Sequence, residues 1–324
     1  MTRVAAVDCG TNSIRLLVAD VSPGVDGAPA TLTDVVRRGE VVRLGQGVDR
    51  TGALHPDALA RTLGVAREYA ATCADEGVSA VRFVATSATR DASNAADFVT
   101  GVREAFAAYG LDVAPEVVSG DEEAELSFVG ATSGLAGSGV EGPYLVVDLG
   151  GGSTELVRGS DAVSEEISLD IGSVRITERH LRSDPPTVEE VEAARWDIAE
   201  ALDLAEIRVG MGGLGALVGL AGSITTVTAR ALALPSYDPA RIHLARLTPA
   251  ATLQAAAEIV SADREARRAM PYMHPGRVDV IGAGALIWHE LVSRVAEVNG
   301  PDLPVVTSEK DILDGIAFSA AARA

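Results

Sequence analysis

The stretch "LVVDLGGGSTELV", residues 145–157, sets three consecutive glycines between Asp148 and Glu155, with apolar runs on both sides. Glycine loses the most conformational freedom on ordering and has no side chain to pack, so three in a row read as a tight turn between strands. The bare N–H groups of such a turn, with the Ser153 and Thr154 hydroxyls, form a concavity suited to phosphate oxygens, and a nearby carboxylate suits a metal ion. A structural hairpin without a ligand is the competing reading of this segment taken alone.

The start of the chain repeats the pattern. "VAAVDCGTNSIRLLV" (4–18) and "YLVVDLGGGSTELV" (144–157) share a strand, an Asp, a Gly, a small polar turn and a second strand. Outward from the first hairpin, the alternation of apolar runs and turn residues predicts strands at 3–9, 13–21 and 31–44, a helix at 56–76, a strand at 80–86, a helix at 94–109 and a strand at 113–118. The second half repeats this order with strands at 144–149, 153–158 and 163–170, helices at 173–182 and 187–206, a strand at 216–221 and a helix from 223. Val188, Val191, Ile198 and Leu202 stand at helical spacing and are expected to face the core. The fold class is α/β, with two similar domains that meet at a cleft. The expected domains are 1–125 and 126–308, and the segment from about 309 to 324 is a helix that can return to the first.

Composition agrees with this frame. A chain of 324 residues exceeds what one core usually serves, and 47% hydrophobic residues exclude disorder, while 4% aromatic leaves the core to Ala, Val, Leu and Ile. The net charge of −19 argues against general binding to nucleic acid or anionic membranes. No apolar run is long enough for a signal peptide or a membrane span, so the expected location is the cytoplasm. Cys9 and Cys73 match no disulfide or metal spacing, and Cys9 reads as a small buried thiol.

An Asp-Gly turn between the first two strands of each of two similar domains resembles the superfamily of actin, heat-shock ATPases and sugar or acetate kinases. Within it, the chain is most similar to the exopolyphosphatase and guanosine pentaphosphate phosphohydrolase family, Ppx/GppA, in a short form without the C-terminal helical region of the longer members. Five further segments carry that likeness in family order: "VRFVATSATRDASNAADFV" (81–99), "VVSGDEEAEL" (117–126), "SLDIGSVRITE" (168–178), "LVGLAGSITTVTA" (217–229) and "RVDVIGAGALIW" (277–288). The terminal "TSEKDILDGIAFSA" departs from the pattern, and Asp311 and Asp314 within it are expected to be solvated or to cap.

The resemblance implies a role for each motif. Gly10, Thr11, Asn12 and Ser13 in the first turn, and Gly150, Gly151, Gly152, Ser153 and Thr154 in the second, would present donors to phosphoryl oxygens. Gly222 and Ser223 join this substrate-contacting set. Asp148 and Glu155 would hold a magnesium ion together with substrate phosphates, with Asp8 supporting; Asp8 and Asp148 ordering their own turns is the plainer alternative. Successive helical residues point about 100° apart, so Glu122 and Glu123 cannot both face one site. The resemblance selects Glu123 as the base that activates water. Arg90 and Arg15 would supply positive charge that offsets the acidic surroundings, with ordinary surface ion pairs as the plainer alternative for both.

Two patterns carry no chemistry on this reading. "GMGGLG" (210–215) precedes a strand rather than following one, which removes the context a dinucleotide turn needs. His55, His180, His243, His274 and His289 show no metal-ligand spacing. The expected activity is release of orthophosphate from the ends of inorganic polyphosphate, with guanosine pentaphosphate as the alternative substrate and a divalent cation as cofactor. An ATP-dependent small-molecule kinase and a non-catalytic nucleotide-binding module are the competing classes, and the resemblance is compatible with a homodimer.

Overall fold

Strand β1 (Thr2–Cys9) carries Ala5, Val7 and Cys9 on one face and Val4 and Ala6 on the other, all fully buried. A strand covered on both faces is central, and the computed structural model, which describes residues 1–24, 30–135 and 138–324, places it so. The first sheet runs β3 (Thr31–Val41), β2 (Ser13–Ser22), β1, β4 (Ala80–Ala85), β5 (Glu116–Val117). Its first three strands form an antiparallel meander, and β4 and β5 continue parallel to β1. The second sheet runs β10 (Ala245–Leu247), β11 (Val305–Thr307), β9 (Ala216–Leu220), β6 (Tyr144–Leu149), β7 (Thr154–Gly159), β8 (Val163–Leu169). From β8 to β11 it repeats the meander and the two parallel strands of the first sheet, in the same order.

The chain divides into two compact units, Met1–Ser133 with Ile312–Ala324, and Gly134–Asp311. In the first unit, Phe83 of β4 meets Phe98 and Phe106 of helix Ala95–Ala107 edge to face at 6.1 and 5.9 Å, closing one side of the sheet. Helix Ile312–Arg323 closes the other side with Ile312, Leu313, Ile316 and Ala317. Gly315 permits that closure, because a Cβ there would stand 2.0 Å from the Leu126 carbonyl oxygen of helix Gly120–Ser133. In the second unit, Trp288 of helix Ile281–Asn299 and Ile198 and Leu202 of helix Val188–Val209 sit in one continuous core against β6 and β9. Among the described residues, no helix is long and apolar enough to cross a membrane.

Several expectations are corrected. Strand β3 stops at Val41 rather than 44, because Val42, Arg43 and Gly45 turn away to donate backbone hydrogen bonds to the first Asp-Gly turn. The strand expected at 113–118 pairs over Glu116–Val117 alone, and the helix expected to 182 ends at Arg179. Val188 is 73% exposed instead of buried. It is the first residue of its helix, and ten residues at 100° each set it about 80° off Ile198; the inner stripe is Ala194, Ile198, Leu202, Ala205 and Val209. Asp314 is not solvated: its side chain is fully buried and accepts from Arg37 Nη2 at 2.7 Å. Asp311 is buried as well.

The segments without assigned chemistry have structural work. "GMGGLG" is the loop into β9, where a Cβ on Gly215 would meet the Glu141 carbonyl oxygen at 2.1 Å. The ring nitrogens of His55 and His274 accept from backbone N–H groups at helix starts, and His180 and His289 pair with Asp197 and Glu290. Burial pushes the Cys9 thiol well above its ordinary range and Cys73 up to about 12, so neither is a nucleophile at neutral pH.

Candidate active site

In the first unit, Asp8 and Arg15 are cross-strand partners at the mouth of the β1–β2 hairpin. Arg15 Nε and Nη2 donate to Asp8 Oδ2 at 3.0 and 2.6 Å. The turn closes when the Gly10 N–H donates to the Ser13 carbonyl at 2.9 Å. The Thr11 carbonyl accepts from Gly45 N–H at 2.8 Å, and that of Asn12 accepts from Val42 and Arg43. With the carbonyls engaged, the N–H groups of Thr11 and Asn12 have no acceptor among the described residues. The buried Asn12 Oδ1 also lacks a partner, as does Thr89 Oγ1 one segment away. Buried polar atoms are normally paired, so these two orphans leave hydrogen-bonding capacity open in the two segments.

Glu123 rises from the first turn of helix Gly120–Ser133, which Ser119 starts by accepting the Glu122 N–H on its hydroxyl and the Glu123 N–H on its carbonyl. Its side chain is 10% exposed, and Arg90 Nη1 donates to Glu123 Oε2 at 3.1 Å and to the Val118 carbonyl at 3.0 Å. Glu122 points elsewhere: it is 41% exposed and pairs with Arg82, which also holds Glu116. The guanidiniums of Arg15 and Arg90, expected to meet phosphoryl oxygens, thus each lie on a carboxylate of their own unit.

The second unit has the same hairpin with one charge reversed. Gly150 N–H donates to the Ser153 carbonyl at 3.0 Å, matching Gly10 and Ser13. Asp148 and Glu155 are cross-strand partners, in the register positions that Asp8 and Arg15 hold in the first unit. Both are buried, at 7% and 2% exposed, and Ser168 Oγ donates to Glu155 Oε1 at 2.8 Å. Like charges directly opposite destabilise a strand pair. Two buried carboxylates in register are the hard oxygen donors that a magnesium-type cation takes alongside substrate oxygens. Among the described residues, no group of three or more His, Cys, Asp and Glu side chains stands ready to hold a metal by itself, so substrate would have to complete the coordination.

Helix Ser173–Arg179 holds the second turn from below. Ser173 N–H donates to the Gly150 carbonyl at 3.0 Å, Val174 N–H to that of Gly151 at 2.8 Å, and Arg175 Nε to that of Gly152 at 2.7 Å. Gly172 allows the approach, since a Cβ there would meet the Gly151 carbonyl oxygen at 2.4 Å. All three glycine carbonyls are held, and the N–H groups of Gly151 and Gly152 have no acceptor among the described residues. Thr154 is committed differently from expectation, its hydroxyl donating to the Ile171 carbonyl at 2.6 Å. Ser223 packs on Gly284, which also borders Ser173, so the "GLAGS" segment adjoins the glycine turn. Arg277 covers Gly222 and donates to its carbonyl at 3.3 Å. Gly172, Arg175 and Arg277 stand in motifs already quoted, but side-chain partners reached across the fold gave them no signal in the sequence.

The family model described as the Ppx/GppA phosphatase family matches residues 17–302. The chain belongs to that family. It is 48% identical over 321 residues to "Exopolyphosphatase 2" of Mycobacterium tuberculosis, covering 99% of each chain. A crystal structure described as an exopolyphosphatase-like protein superposes with a TM-score of 0.92 at 40% identity, covering 99% of both chains. The Ppx/GppA family member of Aquifex aeolicus superposes with a TM-score of 0.78 at 30% identity, covering 99% of this chain and 98% of that one. The two sheets with their flanking helices are thereby those of an α/β protein with two similar actin-like domains.

Proposed function

We propose that this Ppx/GppA member is a cytoplasmic exopolyphosphatase, which hydrolyses the terminal phosphoanhydride bond of inorganic polyphosphate. The observation that carries the reading is the 48% identity, over 99% of both chains, with a protein named for this activity. The geometry is compatible with the following roles. In each unit the turn offers N–H donors to phosphoryl oxygens, those of Thr11 and Asn12 in the first and of Gly151 and Gly152 in the second, and fixed donors stabilise charge without reorganising. Gly222 and Ser223, beside Arg277, extend the surface available to the substrate chain.

Glu123 accepts the proton of the attacking water as its oxygen bonds to the terminal phosphorus and the bridging P–O bond breaks, leaving orthophosphate and a chain one unit shorter. Arg90 fixes the direction of that carboxylate. Asp8 holds Arg15 and so orders the first turn, which leaves Asp148 and Glu155 as the pair that would hold a divalent cation. When bound, that cation neutralises charge on substrate oxygens beside the two carboxylates.

Incubating the purified chain with magnesium and polyphosphate, guanosine pentaphosphate or ATP, and measuring orthophosphate, guanosine tetraphosphate and ADP, tests the reading. Polyphosphate is expected to give the highest kcat/KM. Preference for guanosine pentaphosphate would reassign the substrate within the same chemistry, and transfer of phosphate from ATP to a small acceptor would refute hydrolysis.

A further inference from the structure

The second unit contains a cavity of about 120 Å³, bordered by Arg182, Asp184, Arg264, Arg267, Asp279 and Gly282 and lined by no residue of the glycine turns. Arg267 is its buried charged residue, at 6% exposed. Nε donates to the Ile259 carbonyl at 3.1 Å and Nη2 to that of Val260 at 3.0 Å, near the end of helix Pro249–Ser261. Among the described residues Arg267 forms no ion pair. Burial draws its pKa below the ordinary arginine range, against the opposing pull of Asp184 and Asp263.

The carboxylates at the cavity are engaged at its rim, where Arg264 Nε pairs with Asp279 Oδ1 at 3.0 Å and the Arg264 N–H donates to Asp184 Oδ1 at 2.7 Å. Arg182 is exposed beside them. Among the residues lining the cavity, three guanidiniums stand against two carboxylates, an excess of positive charge in a chain of net charge −19. The seat for Arg267 is built: a Cβ on Gly282 would lie 2.5 Å from its Nη2, so a glycine at that turn of helix Ile281–Asn299 is what admits the guanidinium. A buried cation with no carboxylate at ion-pair distance is costly, and carbonyl bonds alone compensate it incompletely.

We propose that this cavity is a second anion site, separate from the glycine turns, which takes one small tetrahedral oxyanion, orthophosphate, with Arg267 as the deep contact and Arg182 and Arg264 at the mouth. Its volume is several times the roughly 30 Å³ of a water molecule, enough for one such ion but not for a nucleotide. The assignment rests on the cavity and its charge, and stands whether or not the chain hydrolyses polyphosphate.

Crystals of the full chain soaked in tungstate, a tetrahedral oxyanion with a strong anomalous signal, are expected to show a peak within hydrogen-bond reach of the Arg267 guanidinium. Tungstate at the glycine turns with none in the cavity would overturn the proposal. In solution, calorimetric titration with orthophosphate is expected to show two classes of site, one weakened at least tenfold by Arg182→Glu at unchanged Tm. Unaltered binding in that variant would count against the site. Tripolyphosphate is expected not to displace the cavity tungstate, and displacement would assign the cavity to chain ends instead of orthophosphate.

Discussion

Replacing Glu123 by Gln tests the proposed base, and the structure makes the adjacent Glu122 its internal control. The amide oxygen introduced by Glu123→Gln retains an acceptor for Arg90 Nη1, which donates to Oε2 at 3.1 Å in the parent, so the side chain keeps its place while losing its basicity. Loss of a positioned general base costs on the order of 10²-fold or more in kcat, about 2.7 kcal/mol of barrier. Glu122→Gln removes the same formal charge one residue away. Its side chain is 41% exposed, and its partner Arg82 retains Glu116 at 2.8 Å, so the loss is that of an exposed ion pair, about 1 kcal/mol of stability or less. Any effect of net charge is then nearly equal in the two variants, and only the direction of the carboxylate differs. The assay is orthophosphate release from polyphosphate at saturating magnesium, with kcat and KM determined separately and Tm measured alongside. The expected result is a hundredfold or greater loss of kcat at near-normal KM and Tm for Glu123→Gln, and a change within about twofold for Glu122→Gln. Equal losses in both would refute the directional reasoning and make the acidic helix start a field or folding element.

Four further outcomes follow from the same contacts. Excess chelator is expected to abolish turnover and Asp148→Asn to raise the magnesium requirement strongly, measured by metal titration; full activity in chelator would remove the cation from the account. Gly172→Ala forces a Cβ to 2.4 Å from the Gly151 carbonyl oxygen and should destabilise the protein by about 1–3 kcal/mol while displacing the turn, seen as a lowered Tm with a larger loss of activity. Asp314→Ala removes the buried acceptor of Arg37 and is expected to cost about 1.5–3 kcal/mol in denaturant unfolding without changing KM. Burial raises the Glu116 carboxyl, but hydrogen bonds and charge from Arg82 and Arg323 outweigh it and hold the net pKa below the ordinary carboxylate value. A depressed carboxylate stabilises the fold above its unfolded pKa and loses that contribution as pH falls through the folded one. The Tm gap between wild type and Glu116→Gln should therefore be present at neutral pH and shrink on acidification, and a gap independent of pH would contradict the ion pair.

Local pattern was enough to find the two hairpins, because strand periodicity and the backbone freedom of glycine are properties of neighbouring residues. The seven-residue separation of Asp8 from Arg15 and of Asp148 from Glu155 is written in the chain, and antiparallel pairing around equal turns converts it into cross-strand contact. What surrounds each charge is not local. Arg90 reaches Glu123 across 33 positions, and Arg37 reaches Asp314 across 277. The second of these pairs turned an acid that reads as solvated into a buried one, since helix Ile312–Arg323 covers the first sheet. The carbonyls of the second turn are likewise held by Ser173, Val174 and Arg175, and Gly172 lets the two backbones approach closely enough for it. Burial and partnership set the protonation, direction and cost of a polar group, and both come from residues distant in sequence. The chain alone therefore determined where the turns and acids lie, and the tertiary packing decided which acids are exposed, which are paired and which stand opposite a like charge.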